Sequence, residues 1–260
     1  MYNCLAWRNT TVSDMVLVGD VGGTHSRWAQ YCGGLGPVSI RKTSNSRTLQ
    51  DSVEGLLGGA VACGVAVAGP VKEGAVKLTN SDWVGRETDL SVPVALVNDL
   101  EAVALSVPVL TPSDLEWWTP QAPLAGSVLC LGIGTGFGGA LWKNGEVVPM
   151  EPGHESLGFF PLLGREVTVE EVVSGTAFRA MKSAGLDAES LVAAGFRMAL
   201  GRLLDRFNPN VVLLMGGVVD GAPELFEGEV GEFCPAAKIV HPNPALLGAA
   251  RAAIERLSMT

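Results

Sequence analysis

Two segments of the chain follow one pattern. "VLVGDVGGTHSRWA" (Val16–Ala29) and "VLCLGIGTGFGGALW" (Val128–Trp142) each read as an apolar strand, a tight glycine-rich turn and a second apolar strand. No other feature constrains the fold as much. A strand–turn–strand unit that opens each half predicts two related α/β halves, and duplicated halves are expected to face each other across a cleft. The copies differ at one point, where the first carries Asp20 and the second Gly132.

In the first half the spacing predicts strands at 15–19, 27–32 and 37–42, and helical periodicity over 49–57. Strands follow at 63–68, 74–78 and 94–97, then a helix opening at Asn98 or Asp99 and running to about Leu105. The stretch 108–126, "PVLTPSDLEWWTPQAPLAG", is rich in proline and polar residues and reads as a linker. The second half restarts with strands at 127–131 and 139–143, and Asn144-Gly145 marks a hairpin turn because both positions tolerate positive φ. Val192, Phe196, Ala199, Leu203 and Phe207 keep helical spacing until "NPN" (208–210), after which 211–215 is a buried strand turned by Gly216-Gly217. The last helix is expected to take Asn243 as N-cap and Pro244 in its first turn, with Leu246, Leu247, Ala250, Ile254 and Leu257 as its apolar face. The organisation predicted is a small N-terminal α/β domain over 1–110 and a larger C-terminal one over 111–260, with helix 244–260 packing back on the first.

Several functions are excluded early. Gly134-x-Gly136-x-x-Gly139 spells a dinucleotide fingerprint, but that fingerprint needs a helix after the turn, and "GALWKNGEVV" reads as a hairpin. No GxxxxGK[ST] occurs, so there is no P-loop. A net charge of −9 argues against a nucleic-acid partner. The five cysteines are scattered without a CxxC, which points to reduced thiols, a cytoplasmic location and no zinc site. No apolar run reaches the ~18 residues of a membrane helix, so no membrane partner is expected. Residues 1–14 read as a loose leader without the apolar core of a signal peptide, and Met15 is an alternative start.

A hairpin turn can still hold phosphate. Glycine lets successive backbone N–H groups converge and lets phosphate oxygens approach closely. Thr24 and Thr135 each add a hydroxyl beside their turn. Two such turns gripping one polyphosphate need a carboxylate once, beside the Mg²⁺ that accompanies ATP. A second acid at Gly132 would only repel the phosphates.

"LVGDVGGT" (17–24) resembles the first phosphate motif of bacterial glucokinases, in the sugar-kinase, Hsp70 and actin superfamily, and "LGIGTGFGGAL" (131–141) resembles the second. "VVLLMGGVVDG" (211–221) is similar to the adenosine motif, and "EEVVSG" (170–175) to the segment before it. "GVAVAGPVKEGAVKLTNSDW" (64–83) and "ALVNDLEAVA" (95–104) resemble the sugar-side segments, and "HPNPALLGAA" (241–250) the closing helix. These matches run in family order from residue 16 to about 250. The resemblance implies a two-domain, actin-like (RNase H-like) α/β sugar kinase fold with its ligand cleft between the domains. It implies phosphorylation of a hexose, glucose first, by ATP with Mg²⁺, in a homodimer. ATP would be bound by Gly19, Asp20, Val21, Gly22, Gly23, Thr24, Gly134, Thr135, Gly136, Gly216 and Gly217, with Asp20 reaching Mg²⁺ through water.

The sugar side follows from the same resemblance. Asp99 would be the general base that accepts the proton of the attacking hydroxyl, and Asn98 would hydrogen-bond the sugar. On the residues alone, Asn98-Asp99 is equally an ordinary helix cap, and one pair can serve both purposes. Glu151 and His154, in "EPGH", resemble the family's Glu-x-x-His, whose acceptor and donor suit vicinal hydroxyls. Glu170 aligns with a further sugar-binding acid, though an acid in the first turn of a helix has its own electrostatic reason. The chain departs from the family at His25, where Asn is usual, and at "GHES" (153–156), in place of a "GHVDF"-like run. It is shorter than typical members, and the cysteine-rich zinc signature of the ROK kinases is absent.

Two other classes compete. A nucleotide-gated scaffold of the actin or Hsp70 kind, or a degenerate kinase, would share the turns but has no use for Asn98-Asp99 with Glu151, His154 and Glu170. A sugar-sensing repressor would need a DNA-binding helix-turn-helix, which residues 1–14 cannot supply. Mannose or an amino sugar is the alternative substrate.

Overall fold

The computed structural model describes residues 15–78 and 81–259. The leader expectation for residues 1–14 lies outside them, as do Thr79 and Asn80. The chain divides into two compact units, one running to Val109 and resuming at Asn243, the other Leu110–Pro242.

The first unit begins with β1 (Val16–Val21), β2 (His25–Tyr31), β3 (Ser39–Lys42) and the short helix α1 (Leu49–Ser52). It continues with β4 (Ala62–Val67), the hairpin β5 (Ala75–Lys77) and β6 (Val84–Arg86), then β7 (Val94–Asn98) and α2 (Asp99–Ser106). Its main sheet has the order β3-β2-β1-β4-β7, antiparallel through β1 and parallel from β1 to β7. Central β4 reads "ACGVAV" and is buried at every position, without alternation, as a parallel strand covered on both faces requires. Trp28 and Trp83 fill the core on one side, their indole N–H groups donating to Ser26 and Ser52. Helix α1 is shorter than the periodicity over 49–57 implies. A reciprocal Thr48–Asp51 capping box starts it, and Gly55, at φ 73°, turns the chain out of the helical region soon after.

The second unit holds β8 (Leu115–Trp117), β9 (Ser127–Ile133), β10 (Phe137–Lys143), β11 (Glu146–Met150), β12 (Ser156–Phe160) and β13 (Arg165–Thr168). Helices α3 (Gly175–Ser183) and α4 (Ala188–Phe207) follow, then β14 (Val211–Met215), α5 (Gly217–Gly221), α6 (Glu224–Gly231) and β15 (Ala236–Ile239). The large sheet is ordered β11-β10-β9-β14-β15-β8. Its first five strands repeat the plan of the first unit: three antiparallel strands, then two parallel additions. The echo in the sequence is therefore a repeated sheet topology. Leu129, Leu131 and Ile133 of β9 share a core with α4 and α6, where Phe196 and Phe226 meet edge to face with centroids 4.9 Å apart.

The stretch 108–126 is not a plain linker. Leu115–Trp117 pairs antiparallel with β15 and becomes an edge of the sheet. Prolines are tolerated beside an edge strand, so composition concealed it. The glycine turn after β9 is followed by strand β10, not a helix, which removes the dinucleotide fingerprint. Asn208, in the left-handed conformation, ends α4 where "NPN" predicts.

The chain then returns to the first unit as α7 (Pro244–Leu257), with Asn243 at the N-cap position. Leu246 and Ala250 are buried as expected, but Leu247, Ile254 and Leu257 are only half-buried. The buried face consists mainly of Ala245, Gly248, Ala249, Ala252 and Ala253. A Cβ at Gly64 of β4 would run into the Ala249 carbonyl, and one at Gly248 into the Ala102 carbonyl of α2. The helix lies too close to strand and helix for larger side chains on that face. No helix among the described residues is long and apolar enough to cross a membrane.

Candidate functional site

In the first unit, strand register gathers the predicted residues at one end of the sheet. Val21 of β1 is level with Val67 of β4, and Val67 with Asn98 of β7, so three parallel strands finish side by side. The first glycine turn leaves β1 there, and α2 starts there. Asn98 caps α2, its Oδ1 accepting from the N–H groups of Leu100 (2.9 Å) and Glu101 (3.4 Å). Its amide Nδ2 donates to the Gly69 carbonyl at 3.2 Å, which leaves one amide hydrogen. Asp99 is half-buried on the first turn of α2, with Oδ1 accepting from Leu100 N–H at 2.9 Å.

The first turn is held from below. Gly22 N–H donates to the His25 carbonyl at 3.0 Å. The buried Thr43 donates its hydroxyl to the Gly22 carbonyl at 2.7 Å and its N–H to the Thr24 carbonyl at 3.0 Å. Among the described residues this leaves the N–H groups of Gly23 and Thr24, both exposed residues, without a hydrogen-bond acceptor. Gly19 lies against the Trp28 indole, which would collide with any side chain there, and Val21 is buried. Asp20 forms an ion pair with Arg27 at 3.3 Å. Burial pushes the Asp20 carboxyl above its ordinary 3.8, and Arg27 draws it back only in part.

In the second unit the turn Gly134–Gly136 closes with Gly134 N–H on the Gly136 carbonyl at 3.0 Å. Phe137 N–H donates to Glu170 Oε2 at 3.1 Å, so among the described residues Thr135 and Gly136 carry the turn's N–H groups that have no hydrogen-bond acceptor. The start of α3 supports the turn from behind: Gly175 N–H donates to the Gly134 carbonyl at 2.7 Å, and the Thr176 hydroxyl to the Thr135 carbonyl at 3.0 Å. Gly216, at φ 109°, lets β14 approach β9; a Cβ there would stand 2.5 Å from the Ile133 carbonyl oxygen. Gly217 then opens α5. Glu151 and His154 are exposed on either side of the buried Pro152-Gly153, in a single 3₁₀ turn. Glu170 N–H holds that turn through the Gly153 carbonyl at 2.9 Å.

The donor sets fit a magnesium nucleotide. Neither Gly23 nor Gly134 would bring a Cβ within 4 Å of another group, so both turns have open space before them. Asp20 is a single half-buried carboxylate, 22% exposed, and Mg²⁺ is commonly held by one or two carboxylates with phosphate and water supplying the rest. Thr43, Arg27 and Thr176 were not anticipated. Arg27 could have been found by counting across the hairpin, since Asp20 pairs with it in the β1–β2 register. Thr43 and Thr176 carry no local signal, because each meets its turn only through tertiary packing.

Comparisons with known proteins agree with this architecture. A family model described as Glucokinase matches residues 17–188. A glucokinase from Caulobacter sp. (strain K31) is 37% identical over 180 residues, 60% of this chain and 53% of the relative. One from Chelativorans sp. (strain BNC1) is 31% identical over 189 residues, 62% of this chain and 55% of the relative. The chain spans about half the length of the curated relatives it matches. Among solved structures, a glucokinase from an Antarctic psychrotroph superposes with a TM-score of 0.77 at 22% identity, over 93% of this chain and 99% of that one. A ROK family glucokinase from Streptomyces griseus, in complex with glucose and AMPPNP, gives 0.62 at 19% identity over 93% and 99%. At these identities the structures speak for the fold alone: the two-domain, actin-like α/β sugar kinase fold. The family model matches most of the chain and its motifs stand in order on that fold; the chain belongs to the glucokinase family.

Proposed function

We propose that this protein transfers a phosphoryl group from ATP to a hexose, converting glucose to glucose 6-phosphate. The observation that carries this is the level ending of β1, β4 and β7. It sets Asp20, suited to the nucleotide's metal, and Asp99, suited to the acceptor's proton, at the same end of one sheet. A nucleotide switch needs the first carboxylate but not the second. The family membership supports the choice of glucose, and the glucose and AMPPNP complex of the Streptomyces griseus enzyme supports ATP as donor.

Mg-ATP, when bound, supplies the phosphoryl group. Gly23, Thr24, Thr135 and Gly136 offer backbone N–H groups to its phosphates. Gly217, with open space before it, leaves room for the nucleoside, and Gly216 shapes the turn that leads to it. Asp20 orients the metal through water. Asp99 takes the proton from the sugar hydroxyl as its oxygen attacks phosphorus, and Asn98 gives its remaining amide hydrogen to the sugar. Glu151, His154 and Glu170 read the other hydroxyls. The compartment is the cytoplasm and the assembly a homodimer, both on family resemblance.

An ATP-consumption assay across glucose, mannose, glucosamine, N-acetylglucosamine and fructose tests the proposal. Glucose is expected to give the highest kcat/KM. Preference for mannose or an amino sugar would replace the substrate. Nucleotide binding without turnover on any sugar would leave a scaffold or degenerate kinase.

A further inference from the structure

Glu170 does more than stand beside the sugar loop. Its Oε2 accepts the N–H of Phe137, the residue that ends the second glycine turn. The same oxygen would lie 2.5 Å from a Cβ on Gly136 and 3.2 Å from one on Gly153. One carboxylate oxygen is therefore wedged between a glycine of the phosphate turn and a glycine of the Glu151–His154 loop. The main chain of Glu170 adds a second tie, its N–H on the Gly153 carbonyl at 2.9 Å. The residues that follow complete the hold, with Gly175 on the Gly134 carbonyl and Thr176 on that of Thr135. Segment 170–176 thus engages Gly134, Thr135, Gly136 and Phe137 in turn.

The bond to Phe137 has consequences for the ligand side. Phe137 is buried, 3% exposed, and its N–H has Glu170 as its partner in place of water. A buried donor without a partner is costly, and a glycine turn is soft enough to move in search of one. By occupying this donor, Glu170 keeps the turn in the shape that leaves the Thr135 and Gly136 N–H groups without an acceptor of their own.

We propose that Glu170 is a positioning residue for the nucleotide's phosphate turn as well as a reader of the sugar, so that one side chain sets both subsites. This rests on Gly134–Gly136 being a phosphate cradle. Oε2 belongs to the turn, and Oε1 remains for a sugar hydroxyl.

Calorimetric titration of a non-hydrolysable ATP analogue with Mg²⁺, in the absence of sugar, separates the two roles. Glu170→Ala is expected to weaken the analogue roughly tenfold, the effect of losing one buried hydrogen bond. Glu170→Asp, shorter by one methylene, is expected to do the same while keeping the charge. Glu170→Gln retains an amide oxygen for Phe137 and is expected to stay within about threefold of wild type. Thermal melts check folding, and the Asp and Gln variants decide the matter if Ala does not fold. Wild-type nucleotide affinity in Glu170→Asp or Glu170→Ala overturns the proposal, as does an equal loss in Glu170→Gln and Glu170→Asp. In those outcomes a wild-type enzyme that still phosphorylates a hexose leaves the proposed function standing. A wild type that binds no nucleotide defeats that function and the positioning role together.

Discussion

Asp20 and Arg27 face each other across the first hairpin, carboxylate to guanidinium at 3.3 Å, whereas the corresponding cross-strand pair of the second hairpin is Gly132 and Gly138. The two hairpins share topology and differ in charge. The first turn leaves four residues between its paired strands, Gly22 to His25, and the second three, Gly134 to Gly136. A carboxylate at Gly132 would add negative charge beside a turn whose free N–H groups suit an anion. On the hairpin strands the acid stands only beside a cation, Arg27; the carboxylate next to the second turn comes from Glu170, outside the hairpin, and one of its oxygens is taken up by the Phe137 N–H.

Asp20→Asn is expected to abolish most Mg²⁺-dependent turnover and, at neutral pH, to stabilise the ligand-free protein. Burial raises the Asp20 carboxyl above 3.8 despite Arg27. The native state then holds this proton more tightly than the unfolded chain. Stability falls as pH climbs from the ordinary aspartate value through the raised one, and the ionised group remains a cost above it. An amide carries no such cost, and Arg27 is exposed enough to lose its partner cheaply. Melts of both proteins from about pH 3 to pH 8 should show a higher Tm for the variant at neutral pH, the gap closing in acid. A wild type that melts higher at neutral pH would refute this.

Asp99→Asn should lower kcat by about 10²–10⁴ with little change in stability. Asn98 caps α2, and the new amide oxygen can still accept from Leu100 N–H. Steady-state kinetics with a circular dichroism melt checks both halves. Near wild-type turnover would remove Asp99 from the base role.

Glu151→Gln and His154→Ala should each raise the sugar KM and leave the ATP KM nearly unchanged. Both side chains are exposed around a buried anchor, so their replacement should spare the fold. A site that loses a hydrogen-bonding partner loses about 1–3 kcal/mol. Deoxy-sugar analogues should be discriminated less well by the variants than by wild type. Unaltered sugar KM values in both would place the "PGHES" segment outside the sugar site.

Gly248→Ala should destabilise the protein by about 1–3 kcal/mol, the range for overpacking a well-filled core. The added methyl would meet the Ala102 carbonyl of α2, backbone that can yield only by moving a whole helix. Urea denaturation measures the change. A variant as stable as wild type would show that α7 can lift off α2 freely.

Most of the first unit was legible in order of elements; in the second, β9, β10, β11, α4 and β14 were legible, while β8, β12, β13, α3, α5, α6 and β15 were not. Apolar runs, glycine turns and the Asn98 cap are local signals, and the chain obeys them within a residue or two at β4, β7, α2 and β14. The misses share a cause. Strand β8 is three residues among prolines and exists only because β15 offers an edge. Helix α7 buries alanines in place of leucines because Gly64 and Gly248 bring backbones together, a distance that periodicity does not encode.

The candidate site divides in the same way. The sequence by itself determined where the turns fall, which turn bears an acid, and that a carboxylate follows β7, because glycine conformation, charge and strand ends are written in neighbouring residues. Only the tertiary structure decided which turn N–H groups remain free. Thr43 reaches the Gly22 carbonyl from 21 residues away, and Glu170 takes the Phe137 N–H from 33 residues away. A hydrogen bond across such a separation depends on how sheet and loop pack in three dimensions, and no local pattern specifies it.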